Sequence, residues 1–433
     1  LCCAVDVAAQ SETETARENT ASSVESAPVL ETTKPPVLET TKPPVLETTK
    51  LDTTPKEAIA TNDNGFAATN APGPSAVSAS SVAPSGKSDE RLEATKPIWE
   101  RSPKIKIGGY VHTAFIMNDR EGAVDNEFRV RKARVYLDWS QGTLLDGSIE
   151  AELSKEVEPD DGPKTLRPLR DAYVRIKPFD LLMLRVGQFK RPFSRIELTG
   201  SRTLKLVHRG ISSDWISGAL GYGARDVGAQ VEGRYGKYWG LEYALGVFNG
   251  MGANAREIDA QGAKDFVGRV VGHFGKHVEV GVNVANKNWD NPPATVSYAT
   301  RAWMYGGDIA VDYKGFDGMI EGGYGDNFVS SMDLKKTWYV LSQFSYKIKL
   351  LKTWNVAIEP LIKGEMLMVD ADNSDSRVIA GTAGANLYLG SLFRLMVQGD
   401  FIEPTKESAL PQEKFGDAES SKQLTVQVAL HTK

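Results

Sequence analysis

The chain has 433 residues, 51 Lys and Arg against 56 Asp and Glu, a formal net charge of −5 and a hydrophobic fraction of 41%. This near-balance gives no basic surplus for nucleic acid, and two cysteines, both within the first three residues, leave no disulfide framework and no thiol catalyst beyond the extreme N-terminus. No apolar run approaches the roughly 20 residues a helical membrane span needs, but a negative mean hydropathy of −0.31 does not exclude a barrel, in which half of each strand faces water.

Residues 1–9 read as the tail of a secretory signal peptide, with Val7-Ala8-Ala9 forming a small-residue cleavage site ahead of Gln10. Residues 10–103 are Thr, Ser, Ala, Pro, Glu and Lys with few large apolar side chains, a composition that buries too little surface to offset its ordering entropy. A disordered periplasmic tail is expected there. Inside it PVLETTK occurs three times, from Pro28, Pro36 and Pro44, and reads as a semi-rigid spacer or an expanded linker. The first 103 residues hold 9 basic and 15 acidic side chains, which leaves 42 and 41 for the remainder.

From 104 to 433 the pattern changes to two-residue alternation. Leu241, Tyr243, Leu245 and Val247 alternate with Gly240, Glu242, Ala244 and Gly246, and Val278, Val280, Val282 and Val284 alternate with Glu279, Gly281, Asn283 and Ala285. On pleated strands this makes one greasy and one polar or small face. Seven short links, at about 140–142, 177–180, 236–237, 275–276, 314–315, 349–352 and 390, alternate with eight long ones. The rhythm predicts an all-β fold, a 16-stranded antiparallel transmembrane β-barrel with both ends on the short-turn, periplasmic side. Aromatics beside the short links, among them Trp139, Tyr235, Trp239, Phe274, Tyr313, Tyr346 and Trp354, suit an interfacial girdle.

The longest link, third in order between Phe189 and Ala224, carries Lys190, Arg191, Arg195, Arg202, Lys205 and Arg209 against Glu197 and Asp214. It also holds Ile196, Leu204, Leu206, Ile211, Trp215 and Leu220, too apolar a set for a solvated loop. Folding it into the barrel would bury these against the wall and carry the basic groups to the narrowest point of an anion path. The alternation places Arg175, Lys177, Arg185, Arg234, Arg269 and Arg394 on the lumen face, intermixed with carboxylates such as Glu150, Glu232, Asp308 and Glu359. His208 stands without a partner motif, as neither metal ligand nor base. The cluster Arg129, Arg131, Lys132 and Arg134 puts charge on both faces of one strand, so lipid headgroups and lumen are both open to it.

The stretch LRVGQFKRPFSRIELTGSRTLKLVHRG, together with FRVRKARVYLDWS and DAYVRIKPFD, resembles the phosphate-selective porin O and P family of outer-membrane channels. The resemblance covers residues 104–433. It implies a homotrimeric diffusion channel in the bacterial outer membrane, with Arg195, Arg202, Lys205 and Arg209 near the constriction. Together these readings predict a passive channel for small hydrophilic solutes with a mild preference for anions such as phosphate. Its partners are membrane lipids and the solutes; no enzyme activity, cofactor, metal or nucleic acid is expected. A non-selective general porin remains open, as does a barrel anchor whose tail contacts peptidoglycan.

Overall fold

The computed structural model describes residues 102–432, except 120–125, 155, 158–164, 167–168, 237, 255–263, 289–300, 329–334, 352 and 406–419. The expected signal remnant and almost all of the tail lie outside the described residues. Sixteen strands close into one antiparallel barrel. They are β1 (Lys104–Asn118), β2 (Asn126–Gln141), β3 (Leu145–Glu152), β4 (Leu169–Phe179), β5 (Leu182–Lys190), β6 (Arg225–Tyr235), β7 (Trp239–Phe248) and β8 (Asp265–Phe274). The second half comprises β9 (Val278–Asn288), β10 (Arg301–Tyr313), β11 (Phe316–Asn327), β12 (Lys335–Tyr346, resumed at Ile348–Leu351), β13 (Val356–Met368), β14 (Arg377–Leu389), β15 (Phe393–Pro404) and β16 (Ser421–His431). A two-residue hairpin, Glu156–Val157 with Thr165–Leu166, stands apart in the link after β3.

Each strand pairs with its sequence neighbour, and β1 pairs also with β16, from Tyr110↔His431 to Asn118↔Gln423. Closure leaves no edge, which satisfies the main-chain hydrogen bonds that lipid cannot. The turns fall where the short links predict, with two shifts: β4 runs on to Phe179, and the hairpin between β12 and β13 tightens only after Leu351.

The alternation works as anticipated. Leu241, Leu245, Val247, Val282 and Val284 are exposed on the outer wall, while Asn283 and Phe248 are buried inside. Tyr235, Trp239, Phe274, Tyr313, Tyr346 and Trp354 stand exposed at the short-turn rim. A second aromatic row, Phe128, Phe266, Trp303, Tyr305 and Tyr324, stands exposed toward the opposite rim. Phe266 and Phe274 are eight residues apart on β8, about 26 Å of strand before tilt, which matches an apolar band about 25 Å tall.

One irregularity matters for the lumen. Between β1 and β2, Thr113 pairs with Val130 but His112 pairs with Lys132, so Arg131 is an extra residue in a β-bulge. Opposed residues share a face. Arg129 therefore lies on the side of buried Ala114, and Lys132 and Arg134 on that of buried His112 and Tyr110. Arg131 also turns inward, to Val207 and Gln427. The bulge thus gathers the whole basic cluster on the lumen side, where simple alternation divides it between faces.

Candidate functional site

The third loop enters the barrel and packs on its inner wall. Its first and last turns are clamped at the neck: Arg191, 1% exposed, pairs with Asp226 and with Asp265 at 2.8 Å, and its Nη1 donates to the Gly221 carbonyl at 3.1 Å. Ser194, at φ 68°, caps the short helix α1 (Arg195–Leu198), and the Ile196 N–H donates to Glu321 on β11. Gly210, at φ 109°, precedes α2 (Ile211–Ser213), which runs on into a π-turn, Asp214–Ala219. The dihedral favours glycine, and a Cβ there would also have to displace the Glu365 carboxylate and the Lys363 ammonium.

The apolar residues of the loop meet the wall as their composition demands. Trp215, Ile216, Leu220 and Tyr222 join Met304, Leu341 and Leu367 in one buried apolar cluster, and Trp215 Nε1 donates to Thr337. Polar anchors continue along the wall: Ser212 N–H to Glu365, Lys363 to the Arg209 carbonyl, Asn386 to the Lys205 carbonyl, Arg394 to the Leu204 carbonyl and Gln398 accepting from Val207 N–H. The loop lies against β9 to β16. What stays open is a cavity of about 1500 Å³ lined chiefly by β1 to β10 and by the loop's inner edge.

Twelve Arg or Lys and nine Asp or Glu line this cavity. Most are neutralised in place. Arg175 holds Asp146 at 2.8 Å and Glu232 at 2.9 Å, Arg185 shares Glu232 at 2.8 Å, Lys177 reaches Asp146 at 2.6 Å, and Arg269 reaches Asp308 at 2.6 Å. Arg234 holds Glu242 at 3.1 Å and Arg225 holds Asp171 at 2.9 Å. Arg185 also lies over the Tyr173 ring. Such pairs present dipoles to a passing ion and little net field.

The loop's own basic groups divide. Arg195 lines the cavity but is held by Asp308 and by Glu279 at 2.7 Å. Arg209 donates to the Ile196 and Thr199 carbonyls, and Lys190, the last residue of β5, pairs with Glu197 at 2.7 Å. Burial alone would raise the Glu197 carboxyl, but Lys190 and Arg209 overcome it and hold it at about 2. Three expectations need correction. Arg191 is a sealed clamp off the anion path, Arg394 is 5% exposed beneath the loop, and Lys205 points to wall partners Ser345, Asp317 and Glu359. Arg191 and Lys205 were placed by their position in the chain, which does not reveal which side of the folded loop each takes; Arg394 faces inward as expected, but the loop covers it.

Arg202 differs. Its Nη1 donates to the Tyr136 hydroxyl at 2.7 Å, and its guanidinium lies 4.3 Å over the Tyr136 ring and 5.9 Å from that of Tyr110. Among the described residues lining the cavity, it and Lys276 alone hold no carboxylate, and Lys276 stands in the short turn after β8. His208 is wedged between Arg131, 3.0 Å away, and Gln423. Burial first, then Arg131, Lys363 and Lys132, push its imidazole well below the usual range, so it stays neutral. Tyr110 and Tyr136 are lumen residues the alternation passed over, since a tyrosine on a strand looks the same facing lipid or water.

Known proteins agree with this architecture. Structures of similar fold include an anion-selective porin from Comamonas acidovorans (14% identity, 76% of this chain and 100% of that one, TM-score 0.56) and Salmonella typhi OmpF in complex with daunomycin (12%, 76% and 98%, 0.54). The outer-membrane channel DcaP of Acinetobacter baumannii is another (11%, 76% and 98%, 0.53). At these identities the likeness concerns the fold. No curated protein sequence matches. The family model described as phosphate-selective porin O and P matches residues 105–294, which carry β1 to β9 and the third loop. Over that stretch the chain is similar to this family, and with the porin fold it reads as a passive outer-membrane channel.

Proposed function

We propose that the channel passes small hydrophilic solutes with a mild preference for anions, phosphate among them, and that Arg202 carries most of that preference. The supporting observation is the guanidinium on the loop's inner edge with no carboxylate beside it, in a lumen whose other cations are largely matched. One unmatched charge acts on an ion about 4 Å away in water with about 1 kcal/mol, several-fold in local anion concentration, and salt screens it. Arg202→Gln keeps a donor for Tyr136 and removes the charge. Its zero-current potential in a potassium chloride gradient should move toward the cation side, most at low salt. A wild-type potential in this variant would mean that the selectivity is spread over the wall or absent, as in a general porin.

We also propose that the channel assembles as a homotrimer, on the support of the likeness to the porin family over residues 105–294. Detergent-extracted barrel with the native mass of a single chain would overturn this.

A further inference from the structure

In bacterial barrels the long loops face outward, so β10, β12, β14 and β16 begin at the outer rim and descend. Each opens with a cation two residues before an outward-facing apolar residue: Arg301 before Trp303, Lys336 before Trp338, Arg377 before Ile379 and Lys422 before Leu424. Residues two apart share a face, so all four cations stand on the lipid side. Arg301 shows this directly, its guanidinium lying 5.6 Å over the outward ring of Phe266. That places them just past the apolar band, at headgroup level.

Their partners leave charge to spare. Lys336 is matched by Asp326, and Glu403 shares the outer face beside Ile379. Arg301 donates to two neutral oxygens, the Lys264 carbonyl and Asn286 Oδ1, and among the described residues no carboxylate pairs with Arg301, Arg377 or Lys422. Asn286, 3% exposed and directly under Arg301, keeps an Nδ2 donor with no acceptor. Guanidinium and amide donors converging beside Trp303, on a lipid-facing wall, match a phosphate monoester on a lipid.

We propose that this rim binds the phosphorylated glycolipid of the outer leaflet, with Arg301, Asn286, Arg377 and Lys422 as its phosphate contacts. The inference rests on the outward orientation of the long loops and is independent of ion selectivity.

The full chain, and an Arg301→Gln/Arg377→Gln/Lys422→Gln variant, are washed in detergent with bisphosphorylated or with dephosphorylated lipid A, and retained lipid is counted by native mass spectrometry. Retention of the bisphosphorylated form should fall at least tenfold in the variant, and the dephosphorylated form should be retained equally poorly by both proteins. Single-channel conductance in bilayers lacking glycolipid reads the channel separately and should be the same for both. Should the triple variant not assemble, Arg377→Gln alone gives the same comparison, with at least a twofold loss. Equal retention by wild type and variant, or retention of the dephosphorylated lipid at the bisphosphorylated level, overturns the proposal.

Discussion

Replacing Arg191 by alanine should free the constriction loop from its neck: single-channel conductance should rise, and protease should cut between 195 and 220, where the wild type is protected. Arg191 is buried against two carboxylates, Asp226 and Asp265, that are themselves wholly buried. Removing the cation leaves both uncompensated, and breaking a buried ion pair in this way costs about 3–5 kcal/mol. The sixteen strands keep their ladder, so the loss should fall on the loop rather than on the barrel. The charge is the cause only if removing all of it restores the clamp. A variant carrying Arg191→Met, Asp226→Asn and Asp265→Asn keeps an acceptor for the Asn288 N–H and for one of the Val227 and Gly250 N–H groups, and lacks any unpaired ion. It should recover much of the stability, as neutral replacements of buried ion clusters often do. Wild-type conductance and loop protection in Arg191→Ala would show that the apolar packing of Trp215 and its neighbours holds the loop unaided.

The contrast between Arg191 and Arg202 shows what the amino-acid sequence could tell and what it could not. Both are arginines of one basic loop, and nothing local separates them. Their roles depend on partners far along the chain: Asp265 is 74 positions from Arg191, and Tyr136 is 66 from Arg202. Local periodicity was enough for strand number, turn positions and which faces meet lipid, because a pleated strand repeats every two residues and each residue records its own side. The loop's inward fold was legible for a similar reason, since Trp215, Ile216 and Leu220 need burial wherever they lie. Pairing of charges across the lumen carries no such periodic trace. The Lys205 ammonium, expected at the anion path, meets Asp317 and Glu359 on strands more than 100 residues later.

The bulge in β2 gives a sharper case, because there strict alternation misled, and two deletions distinguish the readings. Deleting Arg131 removes the extra residue and leaves Arg129, Lys132 and Arg134 facing the lumen in regular alternation with Val130 and Ala133. The barrel should assemble normally and lose only the contacts of Arg131 with the Val207 carbonyl, Gln427 and His208. Deleting Ala133 instead makes the strand regular by a different route: with Arg134 fixed inward beside Tyr110, Lys132 moves to the lipid side opposite Val111. A lysine on the lipid face of a barrel costs up to about 2–4 kcal/mol near the bilayer midplane and less toward the rim. The second deletion should therefore lower the unfolding midpoint in denaturant and the yield of folded barrel, while the first leaves both near wild type. Equal destabilisation by the two would mean that the lumen placement of the basic cluster is not fixed by the bulge, and that loop contacts alone draw these side chains inward.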